Sequence, residues 1–227
     1  MSWLIWKEYR VNRLILFVGL GMLVAPHAIA LICACFHPDD WTDYFSSASM
    51  FSMIVTQLIL ALLGGNAIAG ERVDRSAEFL ETLPFSRRQN FFSKLSIGPL
   101  TALLIWGFNL PIFWLVISSD RIRTGELNDI AFSLAMVAVT GLTFYCAGWL
   151  FSSLLNSSVY STCLGLFTPL VVIMGIQGTI WLLDLNVRVY GRNSDVIIGS
   201  WYAGICVALS LVSLVLGSVF YLRRVGP

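Results

Sequence analysis

The sequence predicts an all-α integral membrane protein with six transmembrane helices, and three observations lead to it. The 227 residues are 57% hydrophobic and only 12% charged, with a mean hydropathy of +0.80. A soluble domain carries about 25% charged residues, so half that value over this length calls for lipid as the solvent. The charges are also segregated. None falls between Arg13 and Asp39, Asp43 and Glu71, Lys94 and Asp120, Asp129 and Asp184, or Asp195 and Arg223. Each gap is long enough to cross a bilayer, since a core about 30 Å thick needs about 20 residues rising 1.5 Å each.

Four of the gaps hold one span each, and the gap from 129 to 184 holds two. The turn between those two is expected in Ser152-Ser153-Leu154-Leu155-Asn156-Ser157-Ser158, the most polar window inside it. The spans are therefore placed near 14–36, 49–70, 96–118, 130–152, 159–183 and 199–222, in a single transmembrane domain covering 1–227. Pro26, Pro111 and Pro169 lie inside spans, where neighbouring helices can satisfy the backbone groups a proline frees.

An even number of spans puts both termini on one side. With the termini in the cytoplasm, Lys7, Arg10, Arg13, Arg72, Arg75, Arg87, Arg88, Lys94, Arg223 and Arg224 are inside, and Arg121, Arg123, Arg188 and Arg192 are outside. The positive-inside rule selects this arrangement in the cell's inner or plasma membrane. Ala28-Ile29-Ala30 resembles a signal-peptidase site, but the apolar run is too long for a signal peptide and Glu8 sits in its would-be basic region. A net charge of +1 provides no basic surface for nucleic acid. The cysteines, Cys33, Cys35, Cys146, Cys163 and Cys206, all fall in spans and read as small hydrophobes, not as a disulfide framework.

Two cytoplasmic segments carry more pattern than connectors need. At the N-terminus, residues 2–12 read as a short interfacial helix. Trp3, Leu4, Ile5 and Trp6 give it an apolar, aromatic end, and Lys7, Arg10, Asn12 and Arg13 lie on or near one face toward lipid phosphates, with Glu8 among them. It serves equally as an anchor for the first span or as a contact for a partner.

The second segment, 71–94, holds nine of the chain's 27 formal charges. Asp74 or Ser76 can cap a helix with Glu78 in its first turn. Phe79, Leu80 and Leu83 form an apolar stripe. Pro84 ends that helix. Ser86 and Gln89 form a capping box that starts a second helix, which runs into span three. The stripe must pack either on the cytoplasmic end of its own bundle or on another protein.

The run Glu71-Arg72 … Ser76-Ala77-Glu78-Phe79-Leu80-Glu81-Thr82-Leu83-Pro84-Phe85-Ser86-Arg87 … Lys94 resembles the first cytoplasmic loop of type-2 ABC exporter permeases. That loop reads approximately E-R … G-T-L-E-x-L-L-x-L-P-V-S-R … K. Ser76-Ala77 stands where the family often has Gly-Thr, and Phe85 stands for Val. Trp6-Lys7-Glu8-Tyr9-Arg10 is similar to the K-E-[LF]-R element ahead of the family's first span. The resemblance implies a coupling helix seated in a cleft of a separate ABC ATPase subunit, beside the interfacial helix. It also implies a second permease chain, identical or similar, and ATP with Mg²⁺ on the ATPase alone. The matching positions are Glu71, Glu78, Phe79, Leu80, Leu83, Pro84, Ser86 and Arg87. Phe79 and Leu83 are then apolar anchors, Glu78 and Arg87 rim charges, and Pro84 the fixed bend.

No catalytic site is expected in the chain. Gly65-Asn66-Ala67-Ile68-Ala69-Gly70-Glu71-Arg72 has the glycine spacing of a phosphate loop but lacks its Lys-Ser/Thr. With Ala61, Gly65 and Ala69 four residues apart, it reads as close helix packing. The spans hold no Asp, Glu, Lys or Arg, which disfavours a proton-driven carrier; His27 reads as a hydrogen-bonded packing residue. No metal site is expected: Cys33, Cys35 and His37 lie close in sequence with ligand chemistry, but the two thiols point about 200° apart on a helix. Gln57, Asn66 and Asn109 are candidate pathway residues, with Thr140, Thr143 and Gln177 alongside them; interhelical hydrogen bonding, worth about 0.6–2 kcal/mol each, is the alternative role. The function expected is outward transport by an ATP-driven exporter subunit. Two alternatives are a membrane anchor or assembly subunit that binds a partner without transport, and a secondary carrier.

Overall fold

The computed structural model describes residues 2–73, 86–119, 124–182 and 194–224. Every regular element among them is helical: α1 (Ser2–Phe36), a 3₁₀ turn (Pro38–Asp40), α2 (Trp41–Asn66), α3 (Ala69–Val73), α4 (Arg87–Ser119), α5 (Thr124–Leu154), α6 (Ser158–Leu182) and α7 (Ser194–Arg224). Six of these are long and apolar enough to cross a membrane, over Trp3–Phe36, Pro38–Asn66, Arg88–Ser118, Phe132–Leu154, Ser158–Ile176 and Gly199–Arg223. The spans expected from the charge gaps are all present.

Local chemistry places the helix ends. Pro38 forces the residue before it out of the helical region, and His37 sits at φ −132°, ψ 78°. The last bond of α1 runs from the His37 N–H to the Cys33 carbonyl at 2.9 Å. The capping box forms as the spacing predicts. The Ser86 N–H donates to Gln89 Oε1 at 3.2 Å, and the Gln89 N–H donates to Ser86 Oγ at 3.3 Å. The turn between the fourth and fifth spans is Leu155–Ser157, inside the expected window, while Ser152 and Ser153 remain helical.

One element differs from expectation. Residues 2–12 do not form a separate helix; they are the start of α1, which continues without a break to Phe36. No glycine or proline lies between Ser2 and Val18 to interrupt it. The side chain of Asn12 donates to the Glu8 carbonyl at 3.0 Å, one helical turn back, and so stays within the helix. At 1.5 Å per residue α1 is about 52 Å long, which exceeds a hydrocarbon core of about 30 Å.

The chain divides into two compact units. One comprises residues 1–63 and 86–138, the other 64–85 and 139–227. In the first, Leu23 and Ala30 of α1, Met53, Ile59 and Leu60 of α2, and Ile105 and Phe113 of α4 are buried. Pro26 cannot donate to the Met22 carbonyl and disturbs the turn before it. The neighbouring Leu23 carbonyl accepts from His27 Nδ1 at 3.0 Å and from Ser52 Oγ of α2 at 3.2 Å. A carbonyl only accepts, so Nδ1 carries the proton. His27 Nε2, 3.1 Å from Ser49 Oγ, accepts in the neutral ring. The ring stands edge-on to Phe108, with centroids 5.1 Å apart. His27 is thus a packed, fully bonded residue.

In the second unit, small residues let backbones meet. A side chain at Gly64 would strike the Tyr145 carbonyl oxygen of α5, and one at Gly65 would strike the Thr162 backbone of α6. The space at Gly65 is filled by a helix, which is the close packing its sequence pattern implies. A Cβ on Gly165 of α6 would lie 2.8 Å from Gly148 Cα, and one on Gly217 of α7 2.6 Å from Trp149 Cδ1. Helices α5 and α7 also share hydrogen bonds: Thr140 Oγ1 with the Tyr202 hydroxyl at 2.9 Å, Thr143 Oγ1 to the Cys206 carbonyl at 3.3 Å, and Ser210 Oγ to Thr143 Oγ1 at 3.0 Å.

Candidate functional site

The candidate site is segment 71–94, described at its two ends. Of the expected contact residues, Glu78, Phe79, Leu80, Leu83 and Pro84 lie outside the described residues, as does the side chain of Arg87. Glu71 and Ser86 are described: Glu71 is buried and Ser86 is exposed. The expected apolar stripe and bend therefore rest on sequence, and the fastening of the two ends rests on geometry.

The entry end belongs to the second unit. Helix α2 stops at Asn66, the chain turns through Ala67 and Ile68, and α3 begins at Ala69. The first N–H groups of a helix lack intrahelical partners. Here Ser152 of α5 supplies the acceptor: its Oγ receives the Ile68 N–H at 2.9 Å and the Ala69 N–H at 2.8 Å. The favour is returned by α3. Arg72 donates from Nη2 to the Ser153 carbonyl at 3.1 Å and from Nη1 to the Leu155 carbonyl at 3.1 Å, with Asn156 Oδ1 at 3.4 Å. The Ser153 carbonyl is one that the end of α5 leaves open and the Leu155 carbonyl is the first beyond it, where the helix dipole also favours a cation. Each helix end is capped by a side chain from the other. Ser152 is fully buried, so its hydroxyl oxygen serves these two amides away from water.

The exit end belongs to the first unit. After the capping box, α4 carries Lys94, whose side chain is 0% exposed and lies with Nζ 3.5 Å from Glu8 Oε1 of α1. The Glu8 side chain is 3% exposed, and Lys7 Nζ lies 3.1 Å from the same oxygen. Leu4, Glu8 and Asn12, four residues apart, form the buried face of this end of α1. Asn12 is therefore turned inward, away from the lipid-facing set in which its sequence position placed it. Trp3 and Trp6, 51% and 56% exposed, lie on the outer side, and Trp6 stacks on Tyr9 at 5.4 Å.

Sequence reasoning found Glu8 and Lys94 as motif residues but not as a pair, because 86 positions separate them and nothing local links them. From the sequence alone, Ser152 and Asn156 are turn residues and nothing more. Their signal was the run of hydroxyl and amide side chains at the end of an apolar helix, where open carbonyls need partners.

The candidate pathway residues separate. Gln57 and Asn109 belong to the first unit and are buried. Gln57 Nε2 donates to the Met53 carbonyl at 3.0 Å and Asn109 Nδ2 to the Ile105 carbonyl at 2.9 Å, while Gln57 Oε1 and Asn109 Oδ1 have no hydrogen-bond partner. Asn66 belongs to the second unit and is half-buried. Thr140 and Thr143 are interhelical bonders, and the side chain of Gln177 lies outside the described residues. Among the described residues, no three His, Cys, Asp or Glu side chains gather as metal ligands. Cys33 is half-buried, and Cys35 and His37 are exposed.

No curated protein matches the chain. A family profile described as ABC-2 family transporter protein matches residues 5–172, which takes in α1 from residue 5 onward, both described ends of the 71–94 segment and the turn at 155–157. With six apolar helices in this order and that match over most of its length, the chain is a multi-pass membrane protein that belongs to the ABC-2 transporter family.

Proposed function

We propose that the chain is the permease subunit of an ATP-driven exporter, and that segment 71–94 is the element through which a separate ATPase subunit drives it. The observation that carries this is the fastening of both ends of the segment. Arg72 and Ser152 hold the entry by hydrogen bonds, and Glu8 and Lys94 hold the exit by a buried ion pair. A connector that only joins two spans needs neither. A lever needs both, since force applied between its ends reaches the helices only through firm attachments. Phe79 and Leu83 are the apolar anchors in the ATPase cleft, Glu78 and Arg87 the rim charges, and Pro84 the bend. ATP and Mg²⁺ reside on the ATPase. Two permease chains form the pathway, both termini face the cytoplasm, and transport runs outward.

The test is affinity purification from detergent of the tagged chain as wild type, Phe79→Asp and Leu83→Asp. An ATPase subunit should accompany the wild type and be lost from both variants while they still elute as folded protein. Retention of the ATPase by both variants would overturn the anchor assignment. Absence of any ATPase from the wild type would favour a non-transporting membrane anchor or a gradient-driven carrier.

A further inference from the structure

The reciprocal caps at Arg72 and Ser152 connect two cytoplasmic segments far apart in sequence. Both lie in the second unit, so the connection is internal to one compact body. We propose that Arg72 and Ser152 are positioning residues that join the root of the 71–94 segment to the turn between α5 and α6, so that the two move as one lever. This rests on the coupling reading and deepens it: it names the helices that receive the motion.

Three features make the joint stiff. First, it is reciprocal. Ser152 Oγ holds the start of α3 through two amides, and Arg72 holds the end of α5 through two carbonyls. Turning α3 away breaks both sets together. Second, guanidinium is suited to this role. Its planar fork can reach the Ser153 and Leu155 carbonyls at once, which a lysine ammonium on a flexible stem does less well. Third, the helix leading into the joint has no slack. Gly64 and Gly65 sit flush on the backbones of α5 and α6. A pull on α3 is therefore passed to the α5 end and across Leu155–Ser157 to the start of α6, where Ser157 Oγ lies 3.5 Å from the Tyr160 N–H.

The experiment is hydrogen exchange in two arms. In the purified chain alone, Ser152→Ala should speed exchange of the Ile68 and Ala69 amides about tenfold, and Arg72→Gln should speed exchange at Leu155, whose N–H bonds the Phe151 carbonyl. Arg72→Lys should fall between wild type and Arg72→Gln. In the second arm the chain is assembled with its ATPase and compared without nucleotide and with a non-hydrolysable ATP analogue. In wild type, nucleotide should change exchange in both 66–73 and 152–158. In Arg72→Gln the ATPase should stay bound and 66–73 should still respond, while 152–158 falls silent.

A response at 152–158 that is equal in wild type and variant would overturn the lever. So would unchanged exchange at Ile68, Ala69 and Leu155 in the first arm. A wild-type chain that captures no ATPase would overturn the lever together with the coupling reading, and the first arm would still decide whether the joint exists.

Discussion

Glu8 and Lys94 show what a single pair of residues contributes. Both are almost fully enclosed, and Glu8 Oε1 is shared between Lys94 Nζ at 3.5 Å and Lys7 Nζ at 3.1 Å. Removing one partner of a buried pair leaves a charge without compensation and costs about 3–5 kcal/mol, whereas replacing both with neutral residues of similar volume is often tolerated. Glu8→Gln, which takes the carboxylate from the enclosed Lys94, should therefore lower the thermal unfolding midpoint of the detergent-solubilised chain more than the double variant does, and Lys94→Met, which leaves Glu8 with Lys7, should lower it less than Glu8→Gln. A double variant less stable than both singles would show that the pair itself stabilises the fold. The sequence made both residues visible as family-like positions but not as neighbours, because pairing at that separation is a property of the packed helices. His27 was legible in kind: a histidine beside a proline in a span reads as a bonded packing group. Its partners, the Leu23 carbonyl and Ser49, come only from the fold.

Among elements, legibility follows whether the determinant is local. The Ser86–Gln89 capping box is a four-residue pattern, and it forms as read. The six spans follow from stretches without charge and appear in place. The separate interfacial helix does not appear, because aromatic and basic side chains describe where a segment is comfortable, not where the helix breaks. With nothing to interrupt it, α1 runs through. Glycine roles divide the same way. Gly64 abuts the Tyr145 carbonyl, whereas a Cβ on Gly107 of α4 meets nothing within 4 Å. Gly64→Ala must push α2 and α5 apart and should lower the yield of folded protein markedly. Gly107→Ala should be neutral or slightly stabilising, by up to about 1 kcal/mol of helix propensity. Fluorescence-detected size-exclusion profiles of the two variants would check this, and a clean Gly64→Ala profile would contradict the close approach.

For the whole molecule, orientation is the quantity the sequence addresses most directly, through the lean of lysine and arginine toward one set of loops. It yields a labelling prediction. In a chain that keeps only Cys35, an exposed thiol near the end of α1, a membrane-impermeant maleimide should react on intact cells. In a cysteine-free chain carrying Arg88→Cys, at the exposed start of α4, it should react only after permeabilisation. The reversed pattern would place the termini outside. What the charge pattern could not convey is the division into two units, with the 71–94 segment leaving from one and returning to the other. That arrangement depends on how the helices sort after insertion.

The Glu8–Lys94 pair also bears on the order in which the protein is made. Synthesis runs from the N-terminus, at about 5–20 residues per second. Glu8 thus leaves the ribosome roughly 4–17 s before Lys94 at that rate. Until the third span arrives, the Glu8 carboxylate has Lys7 of its own helix but not Lys94 as a counter-charge, so this end of α1 cannot close on α4. Its docking is deferred to a step after insertion of α4, and a nascent chain truncated before Lys94 would present α1 to quality control as an unassembled helix.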